Sequence, residues 1–224
     1  MTDALAAMDA GVDLIGFNFY QKSPRYVEVG MCRNIMSVVR QDGRAKSVGV
    51  FVNASVGEIL ATMDTLGLNL AQLHGDDTVE MLNQLDGKGF KAFRGIPESV
   101  DGFARSEAPA FLVDASVKGV YGGSGVTADW NGAAELAKKY PLLLAGGLTP
   151  ENVAEAVGRV KPWGVDVASG VESAQGEKDA SKMKAFVQAV RNSEKKRLSV
   201  NQSLNHPKER GDCFGASTPR NDTL

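Results

Sequence analysis

An alternation constrains this chain more than any other feature. Short β-branched or apolar runs fall at 14–19, 47–52, 70–73, 90–93, 110–113, 142–145 and 165–167. Helical patterns fill the intervals at 4–10, 30–40, 56–66, 78–85, 131–139, 151–160 and 179–190. Strands alternating with helices predict βα units and a parallel sheet. The continuous apolar character of the runs predicts strands covered on both faces. The strand starts are 33, 23, 20, 20, 32 and 23 residues apart. A mean of about 25 is the compact repeat of an eight-fold βα barrel. A barrel opens with a strand, whereas the first element here is a helix with Thr2 or Asp3 placed to cap it. One repeat before residue 14 falls ahead of Met1. The expectation is therefore an α/β protein, a (β/α)8 TIM barrel with the first β-strand missing from the chain. A seven-stranded doubly wound sheet, complete as written, fits the same spacing and stays open.

Composition bounds the function. With 25 basic and 27 acidic side chains, the formal net charge is −2. A general nucleic-acid or anionic-membrane binder would want a basic excess. No apolar run approaches the roughly 20 residues that span a bilayer. The opening MTDALAAMDAG lacks the basic start and long apolar stretch of a signal peptide. Cys32 and Cys213 make neither a metal spacing nor a disulfide framework, so a cytoplasmic setting is expected. Cys32 falls on a helix and is expected in the core. The composition changes near residue 192. Among the 32 residues of 193–224 only seven are apolar, and Asn, Ser, Pro and Gly are frequent. Such a segment cannot offset the entropy of ordering itself. The expected organisation is a barrel domain over 1–192 and a polar, disordered tail over 193–224, opened by a frayed helix end with a solvated Glu194–Arg197 run.

In a barrel the site lies at the C-terminal strand ends, in the βα loops. Those loops carry Lys22-Ser23-Pro24-Arg25-Tyr26, then His74-Gly75-Asp76, Arg94, Asp114 and the stretch 121–125. The last two are Gly146-Gly147-Leu148-Thr149 and Ala168-Ser169-Gly170-Val171-Glu172-Ser173. Both are small, glycine-rich and lead into helix starts. Bare N–H groups there make an anion site, and glycine lets a phosphate approach closely. Phosphate usually sits on the loops after the last two barrel strands, which makes Gly146, Gly147, Ser169 and Gly170 its candidates; tight βα corners are the plain alternative. Asp114 ends an apolar strand and is placed to face the mouth, where burial can raise a carboxyl for general-acid work; capping the next loop is its alternative. Arg25 suits bidentate recognition of a carboxylate, or is a solvated loop charge. His74 is the one histidine outside the tail and a candidate hydrogen-bond donor, although a lone histidine is more often structural. Asp166, between Val165 and Val167, points to one face of its strand; inside a barrel it needs a partner or a ligand. Trp163 precedes a strand, on the face that serves stability.

These residues resemble the phosphoribosylanthranilate isomerase family of tryptophan biosynthesis. The likeness runs in order over about residues 2–191, through GFNFYQKSPRYV, VGVFVN, AQLHGDD, KAFR, FLVDA, GGSG with DW, LAGGLTPENV, and VDVASGVES followed by GEKD. No single motif is decisive; their order and spacing together are specific. The resemblance implies a (β/α)8 barrel and an Amadori rearrangement without metal or organic cofactor. It implies a small phosphorylated substrate, no nucleic-acid or membrane partner, and a monomer or homodimer. By match, Asp114 corresponds to the general acid, Arg25 to the residue holding the anthranilate end, and Gly146, Gly147, Ser169 and Gly170 to the phosphate cradle. His74 and Asp166 correspond to pocket-lining, substrate-binding positions. The family opens with a strand of the form K-[IV]-C-G, whose cysteine is the general base. This sequence starts after that motif, so impaired turnover is expected. A non-catalytic sugar-phosphate-binding barrel and a sister barrel enzyme on another phosphorylated substrate remain as alternatives; KSPRYV with LHGD favours the isomerase over the sister enzymes.

Overall fold

The computed structural model describes residues 1–115 and 129–204, with side chains to 195. The loop candidate at 121–125, Cys213 and the end of the tail lie outside the described residues. In chain order the elements are α1 (Thr2–Ala10), β1 (Leu14–Asn18), α2 (Val29–Asp42), β2 (Lys46–Phe51), α3 (Val56–Leu66), β3 (Leu70–Leu73), α4 (Val79–Asn83) and β4 (Gly89–Arg94). Then come β5 (Phe111–Asp114), α5 (Trp130–Ala137), β6 (Leu142–Ala145), α6 (Val153–Val160), β7 (Gly164–Val165), a 3-10 turn (Ser169–Val171), β8 (Glu172–Ala174), β9 (Glu177–Lys178) and α7 (Ala180–Leu204).

Strands β1 to β7 form one sheet in strictly sequential order, every pair parallel. A doubly wound sheet reverses its strand order at a switch point. Sequential order has no such point, so the winding goes one way and the sheet curls. That sets aside the doubly wound alternative and leaves the barrel architecture.

Side-chain alternation then sorts the strands into two layers. Val48, Phe90, Ala92, Leu112, Leu143 and Ala145, with Leu14 and Leu70 against them, form one cluster on the concave face. Residues one step out of phase, such as Phe17, Leu73, Phe111 and Leu144, pack outward against the helices. Cys32 lies with Met36 and Val39 on the inward side of α2, fully buried in that outer layer.

The helix layer closes where the strand layer does not. Among the described residues β1 and β7 are not paired with each other. Helix α1 nevertheless joins both halves: Ala4 and Met8 belong to the cluster beneath β1–β3, while Ala6, Ala7 and Ala10 pack on the cluster that includes Met183 and Phe186 of α7. Arg191 of α7 reaches back to Asp13 at 2.7 Å. The cap expected from Thr2 or Asp3 is not made. Met1 is the N-cap and no side chain caps the helix. The Asp3 carboxylate instead accepts the Lys178 N–H at 3.3 Å, an interaction 175 residues away in sequence. Helix α7 continues through the change of composition at residue 193 to Leu204.

Candidate active site

Each polar side chain at the mouth owes its position to strand phase. Leu112 faces inward, so Asp114 two residues later does too; Phe90 and Ala92 carry the same phase to Arg94. Arg94 and Asp114 are register partners on adjacent strands. His74 follows β3, its N–H bonded to the Phe51 carbonyl at 2.8 Å. Asp166 follows β7 and extends its pairing, donating its N–H to the Leu144 carbonyl at 2.8 Å. The loops bearing the other candidates also stand at this end.

The charges interact. Burial lowers the His74 pKa, and the nearby Arg94 cation lowers it further, against the opposing pull of Asp114 and Asp77. Asp166 is exposed to solvent just after β7, with protein atoms crowded around its carboxyl. Burial pushes its carboxyl upward; Lys178 opposes this and Asp114 adds to it. His74, Arg94, Asp114, Asp166 and Lys178 thus share one field.

The two glycine-rich loops pack on each other. Gly146 and Gly147 have φ of 101° and 64°, a region that side-chain-bearing residues rarely adopt. A Cβ on Gly170 would lie 1.9 Å from the Leu148 carbonyl oxygen, so the loops touch at that residue. Asn152 braces the first loop: its Nδ2 donates to the Gly147 carbonyl at 2.9 Å and its Oδ1 accepts the Thr149 N–H at 2.8 Å. Among the described residues, the N–H groups of Gly146, Gly147, Ser169 and Gly170 have no protein acceptor. Four such donors on two touching loops can receive an anion.

Arg25 does recognise a carboxylate side-on, but an internal one. Its Nε and Nη2 donate to the two oxygens of Glu172 at 2.6 and 2.7 Å. Lys178 Nζ joins them at 3.0 Å from Oε1. Burial alone would raise the Glu172 carboxyl; the bonds and charges of Arg25 and Lys178 outweigh it and hold the group at about 2. A second buried ion pair braces the loop after β3. Lys91, on the outer side of β4, donates to Asp77 at 2.9 Å and to the Gly75 carbonyl. Asp77 in turn accepts the Gly75 N–H at 2.8 Å, while Asn53 accepts that of Asp76 at 2.7 Å.

Sequence reasoning placed Arg94 and Glu172 in the mouth loops without giving them a role, and gave none to Lys178 or Lys91. Lys91 had a signal: a charge inside the apolar run Phe90-Lys91-Ala92 demands a partner. Arg94 had one in the alternation. Glu172 had none, because its partner lies 147 residues away. Two shallow depressions, of about 340 and 610 Å³, lie at the opposite end, beside Trp163 and Arg105. They hold none of the candidates. Trp163, half exposed there, sits on the face expected for it.

A one-way-wound parallel α/β sheet with its polar groups collected at the C-terminal strand ends defines a protein of the βα-barrel class. The N-(5'phosphoribosyl)anthranilate (PRA) isomerase family model matches residues 1–189. An N-(5'-phosphoribosyl)anthranilate isomerase of Pseudomonas fluorescens is 44% identical over 194 residues, covering 84% of this chain and 93% of that protein. Phosphoribosyl anthranilate isomerase from Thermotoga maritima superimposes with a TM-score of 0.75 at 34% identity, over 85% of this chain and 94% of that one. A phosphoribosyl anthranilate isomerase solved in complex with reduced 1-(o-carboxyphenylamino)-1-deoxyribulose 5-phosphate gives a TM-score of 0.69 at 32% identity, over 85% and 93%. This chain belongs to the phosphoribosylanthranilate isomerase family.

Proposed function

We propose that this chain isomerises N-(5-phosphoribosyl)anthranilate to 1-(2-carboxyphenylamino)-1-deoxyribulose 5-phosphate in the cytoplasmic pathway to tryptophan. One observation carries the reading: a carboxyl, a carboxylate-binding cation and two touching loops of acceptor-free N–H groups stand at one end of a single sheet, in the family's order. The substrate offers a phosphate, a furanose ring and an aromatic carboxylate to match. The N–H groups of Gly146, Gly147, Ser169 and Gly170 hold the phosphate. Arg25 holds the anthranilate carboxylate. His74 and Asp166 line the cavity between them.

Asp114 donates a proton to the furanose ring oxygen. The C1′–O bond breaks, its electrons pass to that oxygen, and the nitrogen lone pair forms the C1′=N bond of a Schiff base. A base then removes the C2′ proton to leave an enolamine; C1′ takes up a proton and the C2′ hydroxyl gives one up as its carbonyl forms. Protons move and no electrons leave, so the rearrangement balances without a redox partner. The family resemblance assigns the base to the cysteine of a K-[IV]-C-G strand. The seam between β7 and β1 is where we place that eighth strand, with its thiol at the mouth. Cys32 does not substitute: it is fully buried, and burial pushes its thiol up to about 11.

We also take residues 1–192 as the working unit and 193–224 as a polar segment outside it. In support, among the described residues the apolar side chains that dock α7, Met183, Phe186, Ala189 and Val190, all precede 192. The Thermotoga maritima relative is described both as dimeric and in generated monomeric form, consistent with a monomer or homodimer here. The test is loss of substrate fluorescence with formation of the ketose product. Asp114→Asn should reduce kcat by roughly 100- to 10,000-fold with binding retained. Tight binding of the reduced product analogue with no turnover in any form of the chain would instead favour a non-catalytic sugar-phosphate binder.

A further inference from the structure

The loop after β1 and the segment after β7 meet at one side chain. Glu172 is 6% exposed and takes Arg25 in a two-bond fork, while Arg25 itself is 30% exposed. The same carboxylate binds Lys178, whose ammonium also donates to the Ala168 carbonyl at 2.7 Å, one residue before Ser169. Lys182 Nζ donates to the Glu172 backbone carbonyl at 2.8 Å. Backbone contact runs alongside: a Cβ on Gly176 would stand 3.0 Å from the Pro24 carbonyl oxygen. A guanidinium has two carboxylate-matching edges, Nε with Nη2 and Nη1 with Nη2. Glu172 occupies the first. Nη1 has no protein acceptor among the described residues. An arginine anchored on its side edge presents its end edge already oriented, which reduces the ordering cost on binding.

We propose that Glu172 is a positioning residue. It fixes Arg25 so that the Nη1/Nη2 edge meets the substrate carboxylate. Through Lys178 and Ala168 it also sets the span between that edge and the phosphate loop. This rests on the reading of Arg25 given above. It makes Glu172 a determinant of selectivity for substrates whose ring carboxylate lies at a fixed distance from the phosphate.

The test is calorimetric titration of the full chain with two probes. One is reduced 1-(o-carboxyphenylamino)-1-deoxyribulose 5-phosphate; the other is the same compound without the ring carboxylate. Arg25→Met and Glu172→Gln should each raise Kd for the carboxylated probe about 30-fold. Each should change Kd for the carboxylate-free probe by less than about threefold, which also shows that the variant is folded. The double variant should be no worse than Arg25→Met alone, since both remove the same interaction. Glu172→Asp keeps the charge on a shorter arm and should lose about tenfold on the carboxylated probe only. If Arg25→Met loses the carboxylate preference while both Glu172 variants keep it, the positioning role is wrong and the reading of Arg25 stands. If Arg25→Met keeps the preference, both fall.

Discussion

The sector from β2 to β5 and the seam between β7 and β1 build the same mouth by different means. In the sector, adjacent strands are hydrogen-bonded in register, and His74, Arg94 and Asp114 inherit their positions from the backbone. At the seam no ladder joins β7 to β1 among the described residues. There Arg25, Glu172, Lys178, Asp3, Asp13 and Arg191 supply side-chain ties, and α1 packs on α7 beneath them. Backbone placement is insensitive to charge. Placement by ion pairs depends on pH, on salt and on single side chains. The comparison teaches that the acid end of the site is built rigidly, while the cation end is held by electrostatics.

The contrast can be broken most strongly in the sector. Asp114→Asn should remove roughly 100- to 10,000-fold of turnover while leaving the thermal midpoint nearly unchanged; a large loss of stability would show that Asp114 serves the fold. Next comes Lys91→Ala, which leaves the Asp77 carboxylate buried and unpaired. Chemical denaturation should show a loss of about 3–5 kcal/mol, larger than any single tie across the seam. Glu172→Ala should cost about 2 kcal/mol, because Arg25 is partly solvated and water screens what remains.

Acid sharpens the comparison further. The Glu172 carboxyl titrates lower in the folded chain, at about 2, than in the unfolded one. Its stabilising contribution is therefore complete above the unfolded value, near 4.3, and is lost as pH falls from there toward about 2. Arg25→Met should flatten that part of the stability profile, and a profile identical to the parent's would contradict the tie. His74 is depressed as well, so its contribution is present above about 6.5 and lost below it. Smallest of all, Arg191→Ala cuts an exposed pair with Asp13 and should cost less than about 1 kcal/mol.

How much of this was legible in the sequence follows the same division. β3, β6 and α3 begin and end where their apolar patterns do. β7 is shorter than its run, Gly164–Val165 in place of 165–167, although Asp166 still pairs with Leu144. Spacing predicted βα repeats but could not exclude a doubly wound sheet, since strand order is a tertiary fact. Strand phase put Asp114 at the end of its run, and β5 ends there; Asp166 was expected on one face of its strand and follows directly after β7. The seam was invisible: Asp3 was expected to cap its own helix, and its partner is Lys178. Arg25 was expected to bind a carboxylate, but nothing local indicated that Glu172 would hold one edge of it.

The most direct measurement compares turnover of freshly prepared phosphoribosylanthranilate by two proteins. One is this chain; the other is the same chain preceded by a K-V-C-G strand. If the seam takes an eighth strand that carries the base, the extended protein should exceed this chain by roughly 100-fold or more. Replacing its cysteine with serine should abolish the gain. Equal turnover in the two proteins, unaffected by that replacement, would contradict the account, because another group would then be removing the C2′ proton.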